Sequence, residues 1–66
     1  MRLNENRFAT ALAKAGNLTI NQLAERSHLS RQTISLAKSG KGVRLETAAR
    51  IAVALNCSIE ELFDNK

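Results

Sequence analysis

Two forked polar side chains, Arg31 and Gln32, stand side by side in a stretch, Ser30 to Ser39 (SRQTISLAKS), that has no carboxylate. A guanidinium can donate two parallel hydrogen bonds to guanine, and a carboxamide can pair with adenine in the same forked manner. Each such contact is worth about 1–3 kcal/mol of discrimination between bases. Around them, the run from Arg26 to Arg44 carries Arg26, Arg31, Lys38, Lys41 and Arg44 and no acidic residue. So local an excess of positive charge has a row of phosphates as its natural partner. The whole chain agrees in sign: ten Lys and Arg against six Asp and Glu leave a net charge of +4 and a pI near 10.0, which suits a polyanion. The plain alternatives are a solvated basic face or a dock for an acidic protein. The unbroken absence of acids weighs against mere solvation.

Other residue types with chemical potential lead less far. His28 is the only histidine and Cys57 the only cysteine, so a metal site or an internal disulfide has too few ligands, and no metal or cofactor is expected. His28 reads as a structural turn residue and Cys57 as a small buried apolar one. An enzyme needs a nucleophile, a base and an orienting group converging in a pocket of several hundred cubic ångströms. Sixty-six residues with scattered carboxylates offer no such set, so no catalysis is expected.

The elements that must position Arg31 and Gln32 are helices. Ala and Leu are abundant, Pro is absent, and nowhere does apolar/polar alternation hold long enough for a strand. The expected fold is all-α, a compact bundle of five short helices forming a single domain over residues 1–66. A first helix runs from about Asn4 to Ala15, with Phe8, Ala11, Leu12 and Ala15 on one face and Gly16 as its stop. Thr19 caps a second, Ile20 to Ser27, whose inward stripe is Ile20, Leu23 and Ala24. After a turn at His28 and Leu29, Ser30 caps a third, Arg31 to about Ser39, ended by Gly40. A loop with Gly42 leads to a fourth, Leu45 to Asn56, with Leu45, Ala48, Ile51, Ala52 and Leu55 directed inward. Ser58 caps a last helix, Ile59 to about Phe63, with Glu60 and Glu61 favourably near its start.

Two short helices joined by a tight turn hold the second as a rod projecting from the core, the geometry of a helix-turn-helix entering the major groove. Residues 30–39 meet its demands. Ile34 and Ala37 anchor the third helix, while Arg31, Gln32, Thr33, Ser35, Leu36, Lys38 and Ser39 stay available. Leu36 lies off the Leu29/Ile34/Ala37 stripe. Either it meets a thymine methyl, or the helix is rotated slightly and Leu36 closes the edge of the core.

The arrangement LTINQLAERSHLSRQTISLAKSGKG…LETAARIAVALNCSIEELF resembles the Cro and phage-repressor helix-turn-helix family, the XRE-like domains with a lambda-repressor-like fold. The likeness covers about Phe8 to Phe63. It rests on the Leu-Thr start of the second helix, the Leu23-Ala24 pair, Ser30-Arg31-x-x-Ile34-Ser35, Gly40 as terminator and the Ala-Leu-x-x-Ser run at Ala54 to Ser58. The resemblance implies base reading by Arg31, Gln32 and Thr33, with further contacts from Ser35, Leu36 and Ser39. It implies phosphate contacts from Thr19 and Gln22 at the start of the second helix and from the loop Lys41 to Arg44. Helix N-termini and basic loops both attract phosphate, so the physics concurs. Three positions depart from the family pattern. His28 stands where Gly is usual, with Ser27 at the apolar position before it. Lys38 replaces a common acid and adds a phosphate contact, and the following loop lacks Pro.

These features together imply a sequence-specific regulator of transcription, a Cro-like repressor with double-stranded DNA as partner and no small-molecule ligand. One recognition helix reads only a few base pairs. A homodimer places two such helices about 34–36 Å apart on one face of a palindromic operator. The expected dimer surface is C-terminal, where Val53, Ile59, Leu62 and Phe63 offer more apolar groups than one small core is expected to enclose. The alternative function is a protein-interaction module, an antitoxin or adaptor that grips a protein through its helix-turn-helix. The start of the chain, MRLNENRFAT, lacks a signal-peptide run, and no segment approaches the ~20 apolar residues that span a bilayer. A cytoplasmic location without membrane association is expected.

Overall fold

The structure, a computed structural model, describes residues 1–64. Five helices follow one another: α1 (Glu5–Lys14), α2 (Ile20–Ser27), α3 (Arg31–Lys38), α4 (Leu45–Ala54) and α5 (Ile59–Leu62). Local chemistry sets most of their ends. Asn4 caps α1 by accepting from the Arg7 amide at 3.1 Å, and Gly16 and Asn17, both at positive φ, turn the chain away from it. Ser30 caps α3 by accepting from the Thr33 amide at 3.1 Å. Gly40, at φ +87°, follows α3 as a left-handed stop. Arg44 precedes α4 with no side-chain cap at all, so α4 depends on tertiary packing for its start.

Each helix contributes one large, fully buried side chain to the centre: Phe8, Leu23, Ile34, Ile51 and Leu62. Around α2, which packs on both α3 and α4, the small residues Ala24, Ala37, Ala48 and Ala52 are buried as well. Short side chains at helix contacts let the axes approach closely, which is how so short a chain builds one continuous core. Among the described residues, no helix is long and apolar enough to cross a membrane.

In four places the architecture differs from the pattern reading. A two-residue strand, β1 (Arg2–Leu3), pairs antiparallel with β2 (Phe63–Asp64), matching Leu3 with Phe63. Strands this short show no periodicity, and their pairing joins the two ends of the chain. Second, α5 begins without the expected side-chain cap bond from Ser58 and stops at Leu62, because Phe63 turns to an extended backbone to enter β2. Third, Leu62 and Phe63 are 1% and 4% exposed. The core encloses both, Leu3 covering Phe63 from the opposite strand, so the apolar surplus expected at this end is not there. Fourth, Leu45 is not inward: it opens α4 ahead of the core and is 63% exposed.

Candidate nucleic-acid interface

α3 is held at its inner edge by Ile34 and Ala37, both with no exposed surface. The buried stripe leaves Arg31, Gln32, Ser35, Leu36, Lys38 and Ser39 outside. Leu36 is 48% exposed, so it does not close the core edge.

The outward set is not uniform in its chemistry. Thr33 is half-buried, and its hydroxyl lies 2.8 Å from that of Ser30 within the α3 cap. Ser39 donates its hydroxyl to the Leu36 carbonyl at 2.6 Å. Both hydroxyls already have a partner in the chain. Arg31 and Gln32 project from the first turn, where Ser30 caps the Thr33 amide and both forks are exposed to solvent.

The turn before α3 works with unusual residues. His28 adopts a left-handed conformation, φ 57° and ψ 35°, and so ends α2 as a glycine would. A residue with a Cβ tolerates this at a cost, and His does so more readily than most. Ser27 is buried but not orphaned: its hydroxyl donates to the Leu23 carbonyl at 2.7 Å within its own helix. A small polar residue therefore takes an apolar position with its one donor satisfied.

At the start of α2, Thr19 and Gln22 form a capping box. The Thr19 hydroxyl oxygen accepts from the Gln22 amide at 3.1 Å, and Gln22 Oε1 accepts from the Thr19 amide at 3.0 Å. The box uses one acceptor on each side chain. It leaves the Thr19 O–H and the Gln22 amide N–H groups as donors, and α2 has no acid in its first turn. Donors, helix dipole and absence of negative charge together make this end attractive to an anion.

Arg26, Arg31, Lys38, Lys41 and Arg44 are all exposed. The ion pairs among the described residues, Arg7–Asp64 and Arg50–Glu46, use none of them. No described carboxylate forms an ion pair with any of the five. The loop that carries Lys41 and Arg44 is tied down by the Val43 amide, which donates to the Met1 carbonyl at 2.8 Å. Sequence reading missed this contact; it joins residues 42 positions apart and carries no local signal.

Of the expected dimer residues, Val53 is 78% exposed and Ile59 is half-buried, whereas Leu62 and Phe63 lie in the core. Cys57, expected to be buried, is half-buried, and its thiol lies 3.3 Å from the Leu55 carbonyl. Burial, and then the neighbouring Glu61 carboxylate, push that thiol's pKa up, opposed by Lys14, so the reactive thiolate is disfavoured.

A family model described as the Cro/C1-type HTH DNA-binding domain matches residues 10–65. The chain is also similar to the SPbeta prophage-derived uncharacterized HTH-type transcriptional regulator YopS of Bacillus subtilis (strain 168). The two are 37% identical over 59 residues, covering 83% of this chain and 77% of that protein. No solved structure gives a significant match.

Proposed function

The chain belongs to the Cro/C1-type helix-turn-helix DNA-binding family, and from that premise we propose that it is a Cro-like repressor of transcription reading a palindromic operator as a homodimer. The observation that carries this is the outward face of α3: free of carboxylates, anchored by Ile34 and Ala37, and opened by two unengaged forked side chains. With α3 in the major groove, Arg31 and Gln32 read base edges, and Ser35 supplies a short donor or acceptor. Leu36 meets a thymine methyl, which gives its exposed surface a partner. Thr33 and Ser39, whose hydroxyls are engaged, contribute through their shape and through bonds they re-form on DNA.

Phosphates hold the register. The donors of Thr19 and Gln22 grip one strand at the start of α2, and Lys38, Lys41 and Arg44 clamp beyond the end of α3. The repressing action follows from occupancy: a domain of this size, sitting across a promoter, blocks access to it.

Selection of bound duplexes from a random pool tests this directly. The expected product is a two-fold-symmetric consensus whose affinity falls steeply with salt. Lys41→Ala should reduce the slope of log affinity against log salt by about one unit and weaken all duplexes alike. A pool with no enrichment, or retention that ignores salt, would overturn the proposal and favour a protein partner.

A further inference from the structure

The most exposed large apolar side chains among the described residues, Leu45 (63%) and Val53 (78%), sit on the same helix, α4. They are eight positions apart, with Ala49 midway, so the three form a short stripe along the outer face. Beside it lies a shallow groove between α4 and the helix-turn-helix turn, lined by Arg26, Ser27, His28, Ala49 and Val53. Glu46 and Arg50 flank the stripe and meet each other at 3.4 Å across one helical turn. Among the described residues nothing covers Leu45 or Val53, and Ala49 between them is half-buried.

We propose that its occupant is the same face of a second copy, packed antiparallel about a two-fold axis at Ala49. The pattern is self-complementary in that arrangement. Leu45 of each copy falls over Val53 and the groove of the other, and Ala49 meets Ala49, where a small residue allows close approach. In an antiparallel pair, like flanks of the two helices lie together. With a rise of about 1.5 Å per residue, Glu46 of one copy then comes within about 3 Å, measured along the axis, of Arg50 of the other, and the reverse contact follows by symmetry. A parallel pairing would carry the Glu46–Arg50 flank of each copy to the opposite side of the seam from that of its partner, so only the antiparallel one brings these charges together.

The stripe is small beside the roughly 800 Å² per partner of a stable interface. The free dimer is therefore weak, and adjacent half-sites on DNA reinforce it. This inference rests on the proposed homodimeric regulator and assigns its contact surface to α4, away from the C-terminal end.

Charge exchange tests it without touching the core or the DNA-reading face. Glu46→Arg makes both flanking positions cationic, and Arg50→Glu makes both anionic. Each variant alone should dissociate more readily than wild type, by roughly tenfold, since 1.4 kcal/mol is one decade. An equimolar mixture should recover to within about threefold as a heterodimer, because each face then meets its opposite. Sedimentation over a concentration series reads this in free solution, and cooperative binding to a selected two-site duplex reads it on DNA. As a second readout, Ala49→Cys in a Cys57→Ser background should form a covalent dimer under mild oxidation. If wild type dimerises but the single variants do so equally well and Ala49→Cys does not cross-link, the α4 surface is wrong and the dimer stands. If wild type is monomeric both free and on DNA, the homodimer itself fails.

Discussion

The two ends of this molecule use their charges in opposite ways. Where β1, α1, α5 and β2 meet, Arg7 donates to Asp64 at 2.6 Å and to the Glu60 carbonyl at 3.1 Å. That guanidinium is committed to its own chain and helps tie the two termini together. At the reading end, the run from Arg26 to Arg44 holds five cations with no acid among them and no ion pair in the described structure. The side chains are similar in type; what differs is whether the chain supplies a carboxylate. Withholding acids costs some self-repulsion and leaves the full field available to a polyanion. Binding capacity in so small a domain thus comes as much from residues left out as from those put in.

Substitutions at the two ends should separate fold from function, and the largest effect belongs to the closing end. Phe63→Ala removes a buried ring held between Leu3 and the helices, and should cost about 3–5 kcal/mol in chemical denaturation. A loss below about 1 kcal/mol would mean that the β1–β2 closure carries little of the fold. Next, Arg31→Ala should leave the denaturation midpoint in place and relax preference at one base position by about 1–3 kcal/mol. If it unfolds the domain instead, the reading face is structural and the contrast collapses. Thr19→Ala touches both roles, since it breaks the capping box and removes a phosphate donor. It should lower stability by about 1 kcal/mol and weaken every duplex to a similar degree. The smallest effect is expected for Asp64→Asn. The Arg7–Asp64 pair is about half exposed on both sides, so its loss should cost below about 1 kcal/mol and leave DNA affinity unchanged. A clear gain in affinity would show that the closing end also contributes to the field around DNA.

Much of the helix-turn-helix was legible because its determinants are local. Thr19 with Gln22, Ser30 with Thr33, and Gly40 act within three or four residues of themselves, and a helical stripe is written in the spacing of Leu23, Ala24, Ile34 and Ala37. The substitution of Ser27 and His28 at the turn was visible as a departure from the family pattern. How it is accommodated was not, since that takes a backbone dihedral and a hydroxyl bond inside α2. The closing end was misread for a related reason. Spacing marks Leu62 and Phe63 as apolar but does not say that Leu3, sixty residues away, arrives to cover them. Leu45 was assigned inward by the same periodicity that places Ala48 and Ile51 correctly, because periodicity does not record where the core ends.

The sequence by itself determined the class of the molecule. Its caps, stripes and acid-free basic run specify short helices, a projecting third helix and a charge suited to DNA, all through interactions between near neighbours in the chain. The tertiary structure alone decided which apolar residues are spent on the core and which remain outside. It paired Met1 with Val43 and Leu3 with Phe63, drew Leu62 and Phe63 into the interior, and left Leu45 and Val53 in solvent. Burial depends on which distant segments arrive to cover a side chain, and that is a property of the assembled fold.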